Sequence, residues 1–259
     1  MKKLPLYVIP EGIPSELLGY LAGAPLYDSS SSPEARVLYT PKEGGLYLKR
    51  APKGSLAKEA KMTSYFYSKS LSCEPIVYLS DSEDFFLTRA AAGEDATDAA
   101  YLADGRRLAA LLGELLRSLH EMSCQDCPIS ERTRDYLDTV AEGYEIGRFD
   151  ASFAPRAGVT PEEAYRAVCG AADALSSRVL LHGDYCLPNI LLDRWRFSAF
   201  IDLGAAGVGD RHIDLFWGAW TLAYNLGTNA YRDTFLSAYG REAINTELLD
   251  IIGYAECFG

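Results

Sequence analysis

The sequence predicts an α+β protein in which a small antiparallel β-rich lobe precedes a larger, mostly helical lobe. Three observations carry this prediction: strand-like segments alternate with turns in the first part of the chain, a leucine-spaced helix follows, and the composition shifts near residues 90–95. We therefore place one lobe over residues 1–91 and the other over residues 92–259. A chain that is 48% hydrophobic and 24% charged can bury such a core, which excludes an intrinsically disordered protein.

Two hairpins and one helix make up the predicted first lobe. In chain order, the segments are strands at 36–41 and 44–50, a helix at 56–69, and strands at 75–80 and 84–90. Because side chains alternate along a strand, Leu46 and Leu48 are expected on one face and Tyr47 and Lys49 on the other.

Helical spacing dominates the second lobe. Leucines recur at helical intervals on one face of a long predicted helix, at Leu108, Leu111, Leu112, Leu115, Leu116 and Leu119. Thr160 followed by Pro161 and Glu163 is typical of a helix start, with an N-cap, a proline at the first position and a capping-box glutamate.

The charge balance restricts the partners that we expect. Acidic residues outnumber basic ones by 36 to 25, and the formal net charge is −11. Such a surface repels phosphate backbones, which excludes nucleic acid as an expected partner, whereas it attracts a cationic ligand.

No segment is predicted to enter a membrane. The apolar stretch at 4–9 is too short for a signal-peptide core, and the uncharged run at 215–231 contains too many Gly, Thr and Asn residues to span a bilayer. We expect a soluble cytoplasmic protein. Its cysteines, including the pair Cys124 and Cys127, are then expected to be free thiols.

The residues best suited to chemistry lie at 180–204. Asp184 and Asn189 follow a short apolar strand, and Asp202 ends the next predicted strand. We expect these two strands to form a hairpin with both aspartates at its mouth. Amide and carboxylate oxygens are ligands that suit Mg²⁺. Asp184 then remains as a candidate base toward a hydroxyl group.

The motifs HGDYCLPN, IDLG and GVGDRHIDL resemble those of the bacterial aminoglycoside 3'-phosphotransferases, which are relatives of the protein kinases. The similarity extends along nearly the whole chain, through the strand LYLK, the helix ending in LRSLH, the loop DCPI and the C-terminal AECF. The resemblance implies a two-lobed protein-kinase-like fold with a nucleotide in the cleft between the lobes.

The resemblance also implies roles for individual residues. Asp184 matches the catalytic aspartate, and Asn189 and Asp202 match the two Mg²⁺ ligands. Lys49 matches the strand lysine that holds the α- and β-phosphates of ATP. Glu59 matches the ion-pair partner of that lysine.

Further matches concern the rest of the nucleotide site. Tyr47 matches an aromatic residue that stacks on adenine. The segment 88–93 matches the hinge, in which backbone groups near Arg89 and Ala91 would bind the adenine. The serine-rich turn matches a flap over the phosphates, with Ser31 and Ser32 as alternatives.

The acceptor site departs from the family's pattern. Glu256 and the terminal Gly259 match substrate-binding positions, and Asp150 is a further candidate from an acidic region. Ala255 stands where the family usually has Asp, and Ala205 stands where it usually has Arg. The loss of these two charged side chains is expected to change which acceptor molecules the protein binds.

The function that the resemblance implies is transfer of the γ-phosphoryl group of ATP, or GTP, with Mg²⁺, to the 3'-hydroxyl of an aminoglycoside antibiotic, which confers resistance. Two alternatives remain open: a kinase of this fold that acts on a sugar, choline or a macrolide, and a non-catalytic nucleotide-binding pseudokinase. We expect a monomer or weak dimer whose partners are small molecules.

Overall fold

The computed structural model describes residues 3–29 and 35–259. The elements in the first part of the chain are strands β1 Lys3–Leu6, β2 Leu26–Ser29, β3 Arg36–Thr40, β4 Leu46–Pro52, β5 Pro75–Ser80, β6 Glu83–Arg89 and β7 Glu94–Asp95, and helices α1 Ser15–Leu21 and α2 Ala57–Ser68. The remaining elements are helices α3 Ala99–Leu102, α4 Gly105–His120, α5 Arg132–Glu145, α6 Pro161–Ala171, α7 His212–Leu226, α8 Arg232–Tyr239 and α9 Thr246–Glu256, and strands β8 Val179–Leu181, β9 Ile190–Asp193, β10 Arg196–Phe200 and β11 Gly207–Gly209.

The chain forms two compact units. The first contains residues up to 95 together with 190–204, and the second contains 96–189 together with 205–259. The predicted boundary lies after residue 91, and the prediction places 190–204 in the later lobe. Contacts group that segment with the first unit because β9 pairs with β7, with Leu192 opposite Glu94.

An antiparallel sheet organises the first unit, with the described strands in the order β1–β2–β3–β4–β6–β5. The predicted hairpin of β3 and β4 is confirmed, with Tyr39 opposite Tyr47. Leu46 and Leu48 are fully buried, whereas Tyr47 and Lys49 are half-buried on the other face. The alternation that the sequence predicted therefore points Lys49 away from the leucine core.

The two faces of this sheet have separate apolar cores. On one face, α1 packs through Leu17 and Leu21 against the leucines of β4. On the other, Leu56 and Ala60, at the start of α2, pack against Phe86 of β6. Asp84 accepts a hydrogen bond from the Leu56 amide at 2.9 Å, which fixes the start of α2. This anchoring places the first turns of α2 on the face of the sheet to which the Lys49 side chain points.

The second unit is mainly helical, as predicted. The leucine face of α4 packs inward: Leu108, Leu112, Leu116 and Leu119 are buried, and Leu111 and Leu115 are half-buried. Thr160 and Glu163 form the predicted reciprocal capping box at the start of α6. An apolar core joins α5, α6 and α9, and it includes Ala255 and Phe258.

One predicted pairing is wrong. The strand before Asp184 does not pair with the strand before Asp202, contrary to the prediction. Instead, β8 pairs with β11, and β10 pairs with β9. β10 forms its backbone hydrogen bonds with β9, the strand just before it in the chain. Asp184 and Asp202 therefore do not share a hairpin.

Among the residues that the structure describes, no helix combines the length and the apolar character that crossing a membrane requires.

Candidate active site

A lysine and two carboxylates form a polar cluster in the first unit. The Nζ of Lys49 donates to Oε2 of Glu59 at 2.7 Å and to Oδ1 of Asp202 at 3.0 Å. The Lys49 side chain is 21% exposed, that of Glu59 11% and that of Asp202 53%. One carboxylate thus anchors the lysine from the inside, and the other lies at the solvent-facing side of the cluster.

Local backbone structure determines the position of each residue in this cluster. Lys49 lies on the polar face of β4, and Glu59 lies in the first turn of α2. Asp202 follows β10 with a φ of 58°, in the left-handed region that Asp tolerates better than most residues. A non-glycine residue in this conformation is typical of functional sites, where surrounding contacts hold it.

The cluster changes the proton affinities of its members. Burial lowers the Lys49 pKa, but the charges of Glu59 and Asp202 outweigh burial, so that the pKa lies above its ordinary value. Burial also raises the pKa of Glu59, and the charge of Lys49 opposes that shift. Lys49 is therefore a cation held in place at any physiological pH.

The proposed adenine contacts also lie in the first unit. Tyr47 is on the same face of β4 as Lys49 and packs on Tyr39, with ring centroids 4.9 Å apart. Arg89 ends β6; its amide donates to the Glu74 carbonyl, and its guanidinium binds the Glu74 carboxylate at 2.8 Å. Ala91 follows in an irregular, half-buried stretch. Ser31 and Ser32 lie outside the described residues.

A second polar cluster lies in the loop after β8, in the second unit. The Nδ2 of Asn189 donates to the Asp184 carboxylate at 2.8 Å and to the Asp184 carbonyl at 3.1 Å. Tyr185, fully buried, donates to the Leu112 carbonyl of α4, and the Leu187 amide donates to Thr221 of α7. These bonds tie the loop to two helices and fix the side chain of Asp184.

Asp214 holds the start of that loop. Its carboxylate accepts from the amides of His182 at 2.8 Å and Gly183 at 2.7 Å, and from Nε2 of His120 at 3.1 Å. Nδ1 of His120 lies 2.8 Å from the Tyr239 hydroxyl. Burial lowers the His120 pKa, so the imidazole is neutral and acts as a structural link.

Gly183 is required by a close backbone approach. Its φ is +85°, and a Cβ added there would lie 1.9 Å from the carbonyl oxygen of Ala205. Because that atom belongs to the backbone, a side chain at 183 would displace either the loop or residue 205. The residue before Asp184 is therefore fixed from two sides, by Asp214 and by Ala205.

Asp210 anchors the neighbouring turn. Its carboxylate accepts from the Ser177 hydroxyl at 2.7 Å and from Nδ1 of His212 at 2.7 Å. Nε2 of His212 accepts from the Asn245 amide at 3.0 Å, which identifies the neutral imidazole with its proton on Nδ1. Burial would raise the pKa of Asp210, but these hydrogen bonds hold it below its ordinary value.

The predicted acceptor residues lie together at the end of α9. Glu256 is buried, and its carboxylate accepts from the Tyr136 hydroxyl at 2.8 Å. The side chains of Tyr136 and Trp217 lower the pKa of Glu256, against the larger effect of burial. The Asp150 amide donates to the Cys257 carbonyl at 2.7 Å, and the Gly259 amide donates to the Glu256 carbonyl at 3.3 Å. The side chain of Asp150 is exposed and caps the short turn Ala151–Phe153.

The two departures from the family pattern have structural counterparts. Ala255 is fully buried in the apolar core, so its side chain has no access to a ligand. At Ala205, the backbone carbonyl accepts from Nε of Arg132 at 2.6 Å. The guanidinium of Arg132 lies over the Tyr136 ring, and burial lowers the Arg132 pKa. A cation is thus present beside Ala205, although it comes from α5.

Sequence reasoning missed the surroundings of Glu256. Tyr136 and Arg132 are four residues apart on α5, a spacing that places both on one helix face, yet nothing in the sequence indicates which distant carboxylate they meet. Trp217 of α7 is half-buried and packs against the apolar core. It also lowers the pKa of Glu256, a non-local effect that the composition of α7 does not reveal.

The chemistry of two oxygen donors suits a magnesium ion. Nδ2 of Asn189 donates to Asp184, which leaves its amide oxygen as the atom for a cation. Asp202 offers an accessible carboxylate. In the described part of the chain, no three His, Cys, Asp or Glu side chains gather as a metal site. Each of these oxygen donors is of a kind that Mg²⁺ takes, because this ion retains waters and accepts substrate phosphates as further ligands.

The fold and these clusters define a phosphotransferase of the protein-kinase-like class. The model of the phosphotransferase enzyme family matches residues 16–251, and the chain belongs to this family. It is 48% identical over 251 residues, 96% of both chains, to a probable aminoglycoside 3'-phosphotransferase of Lactococcus lactis subsp. lactis. It is 29% identical, over 88% of both chains, to an aminoglycoside 3'-phosphotransferase of Streptomyces fradiae.

Solved structures agree with the predicted fold. An aminoglycoside-3'-phosphotransferase of type VIII is similar with a TM-score of 0.75 and 24% identity, covering 90% of this chain and 91% of that one. An aminoglycoside phosphotransferase from Streptomyces rimosus is similar with a TM-score of 0.74 and 21% identity, covering 94% and 96%. The predicted two-lobed kinase-like α+β fold is confirmed.

The ionisation of the buried Glu256 carboxyl group leads to a prediction about stability. Burial raises the pKa of Glu256 from its ordinary value of 4.5 to about 7. An acid whose pKa is raised by folding destabilises the folded state once it ionises, so stability should fall as pH rises from about 4.5 to about 7. Between pH 5 and pH 8, wild type should lose on the order of 2 kcal/mol relative to Glu256→Gln.

Urea unfolding of both proteins at a series of pH values measures this difference. The relevant quantity is how the free energy of unfolding changes with pH. The pH-independent effect of replacing one carboxylate oxygen by an NH2 group cancels in that slope. Parallel stability curves for wild type and Glu256→Gln across this range would show that Glu256 is not a buried, destabilised carboxylate.

Proposed function

We propose that the protein transfers the γ-phosphoryl group of ATP to the 3'-hydroxyl of aminoglycoside antibiotics and thereby confers resistance to them. The observation that carries the phosphotransferase chemistry is the Lys49–Glu59–Asp202 cluster, in which a fixed cation lies next to an accessible carboxylate. The relative from Lactococcus lactis, named as a probable aminoglycoside 3'-phosphotransferase, supports the acceptor.

The nucleotide is proposed to bind through the first unit. Lys49, held by Glu59, would neutralise the α- and β-phosphates, as in the protein-kinase template. Tyr47 would stack on the adenine ring, and backbone groups near Arg89 and Ala91 would hydrogen-bond its edge. Since Glu59 holds Lys49 before nucleotide arrives, little side-chain entropy remains to be lost on binding.

Mg²⁺ is the proposed metal, with Asn189 and Asp202 as its protein ligands. When bound, the ion supplies positive charge to the β- and γ-phosphate oxygens. Asp202 also accepts a hydrogen bond from Lys49. The same carboxylate therefore positions the lysine.

Asp184 is the proposed catalytic base. Its carboxylate is fixed by Asn189 and by the anchored loop, so it can accept a hydrogen bond from an acceptor hydroxyl in one orientation. The hydroxyl oxygen forms a bond to the γ-phosphorus, the bond from that phosphorus to the bridging oxygen of ADP breaks, and the hydroxyl proton passes to Asp184. Because the transition state is loose, orientation of the hydroxyl is expected to contribute more than early proton removal.

The acceptor is proposed to be held by acidic residues of the second unit. Asp150, Glu256 and Gly259 are the candidates that lie together at the end of α9. Glu256 is fixed by Tyr136, and Asp150 carries an exposed carboxylate. Ammonium groups of an aminoglycoside suit such a site, and the net charge of −11 favours their approach.

A coupled ADP-release assay tests this function. ATP and GTP are each supplied with Mg²⁺ and a panel of aminoglycosides, and choline, simple sugars and a macrolide serve as rival acceptors. We expect ADP release that depends on aminoglycosides, a product heavier by one phosphoryl group, and a raised inhibitory concentration of kanamycin for bacteria that express the protein. Release with a rival acceptor alone would refute the proposal, as would nucleotide binding without any turnover.

Loss of the strand lysine should affect the nucleotide selectively. In Lys49→Met the side-chain length is kept and the charge is removed, so we expect the KM for ATP to rise about 10- to 100-fold, as for the loss of one or two charge-assisted hydrogen bonds. The KM for the aminoglycoside should change little. Lys61→Met, at an exposed position on α2, is the matched control. If ATP kinetics stay at the wild-type value in a folded Lys49→Met variant, Lys49 does not bind the phosphates.

A further inference from the structure

The start of helix α2 is capped from outside the helix. Leu56 is the N-cap residue, and its side chain makes no capping hydrogen bond. The Leu56 amide instead donates to Oδ2 of Asp84, on β6, at 2.9 Å. Asp84 is fully buried, and the same oxygen accepts from the Tyr78 hydroxyl at 3.0 Å. A buried carboxylate of the sheet thus binds an amide that the helix itself leaves unpaired.

The external cap is an anion. Burial would raise the pKa of the Asp84 carboxyl, but its hydrogen bonds, including those from Leu56 and Tyr78, hold the pKa below its ordinary value. Because the N-terminus of a helix carries partial positive charge, an ionised carboxylate binds the Leu56 amide more strongly than a neutral oxygen does.

Glu59 is the third residue of α2, the position from which a glutamate can bind the N-cap amide of its own helix. Helix α6 shows that arrangement: its third residue, Glu163, accepts from the Thr160 amide at 3.1 Å. In α2 the N-cap amide is already bound by Asp84, and Glu59 accepts from Nζ of Lys49 at 2.7 Å. The two helices therefore use a glutamate at the same position for different contacts.

Strand β6 connects the cap to the lysine. Asp84 lies opposite Ala51 of β4, and Phe86, two residues further along β6, lies opposite Lys49. Because residues two apart on a strand share a face, Asp84 and Lys49 point to the same side of the sheet. Phe86 packs there against Leu56. The cap and the lysine are thus held next to each other by the register of two paired strands.

We propose that Asp84 is a positioning residue for the nucleotide site: by binding the Leu56 amide, it keeps the Glu59 carboxylate on Lys49. Without Asp84, the Leu56 amide would be a second donor for Glu59, and a capping bond within the helix would compete with the ion pair. The inference rests on the proposed function for the role of Lys49. It adds to that function a residue that touches neither the nucleotide nor the acceptor.

Binding of ATP with Mg²⁺, measured by calorimetry, tests this role without an acceptor. We expect Asp84→Ala to raise the Kd for ATP about 3- to 30-fold, because the bond that Glu59 would gain is as strong as a helix cap. The Kd for kanamycin should stay at the wild-type value. Asp84→Asn keeps an oxygen for the Leu56 amide, so its Kd for ATP should rise less. Asp104→Ala, which removes the side-chain cap of α4, is the matched control and should leave ATP binding unchanged.

A double-mutant cycle separates positioning from a general loss of structure. In Glu59→Ala the Kd for ATP is already raised, and the addition of Asp84→Ala should change it less than about twofold, because no carboxylate remains to be positioned. An equal fold increase from Asp84→Ala with and without Glu59 would overturn the proposal, because Asp84 would then affect ATP binding by another route.

A second substitution guards against a fold defect. Asp84→Leu fills the buried space with an apolar side chain and leaves the Leu56 amide free, so we expect the same rise in Kd as in Asp84→Ala. Thermal unfolding identifies the folded variants. Unchanged ATP binding in a folded variant of either kind would overturn the proposal. If neither variant folded, Asp84 would serve the fold alone, and the proposal would be overturned as well.

Two further measurements separate this inference from the proposed function. A wild-type protein that binds ATP and phosphorylates no aminoglycoside would overturn the proposed function, while the ATP-binding test of Asp84 would still hold. Wild-type ATP binding in a folded Lys49→Met variant would remove Lys49 from the nucleotide site, and the positioning role of Asp84 with it.

Discussion

Asp184→Asn is expected to lower kcat by about 10²- to 10⁴-fold, the usual contribution of a general base. The amide keeps the shape of the carboxylate and removes its ability to take a proton. Binding of ATP and kanamycin should persist, because the amide oxygen can still accept a hydrogen bond from the hydroxyl. Initial rates and binding constants measured on one preparation separate these effects.

The control for this variant is Asp173→Asn, an exposed aspartate in the same unit. Retained turnover in Asp173→Asn together with a large loss in Asp184→Asn assigns the effect to position 184. A folded Asp184→Asn variant that binds both ligands and turns over close to the wild-type rate would mean that Asp184 is not the base.

Asp202→Ala should abolish measurable turnover, because it removes the proposed carboxylate ligand of Mg²⁺ and one partner of Lys49. The side chain is 53% exposed, so little packing is lost. The positive φ at this position disfavours Ala. Asp202→Asn therefore serves as a second variant, since Asn tolerates the left-handed region as Asp does.

Magnesium titration distinguishes metal binding from strain. Asp202→Asn should need a much higher Mg²⁺ concentration for half-maximal activity, because an amide oxygen is a weaker ligand than a carboxylate, while its thermal unfolding should match wild type. A Mg²⁺ requirement identical to wild type in Asp202→Asn would remove Asp202 from the metal site.

Local patterns in this sequence predicted local structure well. The leucine spacing of α4, the capping box at Thr160 and the alternation around Lys49 each depend on neighbours within one turn or one strand. The Lys49–Glu59 ion pair, implied by family resemblance, is present in the structure, although its role in binding phosphates stays a prediction.

Long-range pairing is what the sequence could not provide. Closeness in the chain predicts that the strand before Asp184 pairs with the strand before Asp202. In the structure these two strands pair instead with β11 and β9, respectively. The burial of Ala255 depends on how α9 packs in the core. The effect of Trp217 on the pKa of Glu256 acts between two helices, and an uncharged helix pattern does not distinguish core from site.

The central claim is that the acceptor atom is the 3'-hydroxyl of an aminoglycoside, and a matched pair of acceptors tests it directly. Tobramycin differs from kanamycin B only in lacking that hydroxyl, so both present the same ammonium groups to the carboxylates of the second unit. We predict ADP release with kanamycin B, no release above background with tobramycin, and competitive inhibition of the kanamycin B reaction by tobramycin. Equal ADP release with the two acceptors would contradict the account.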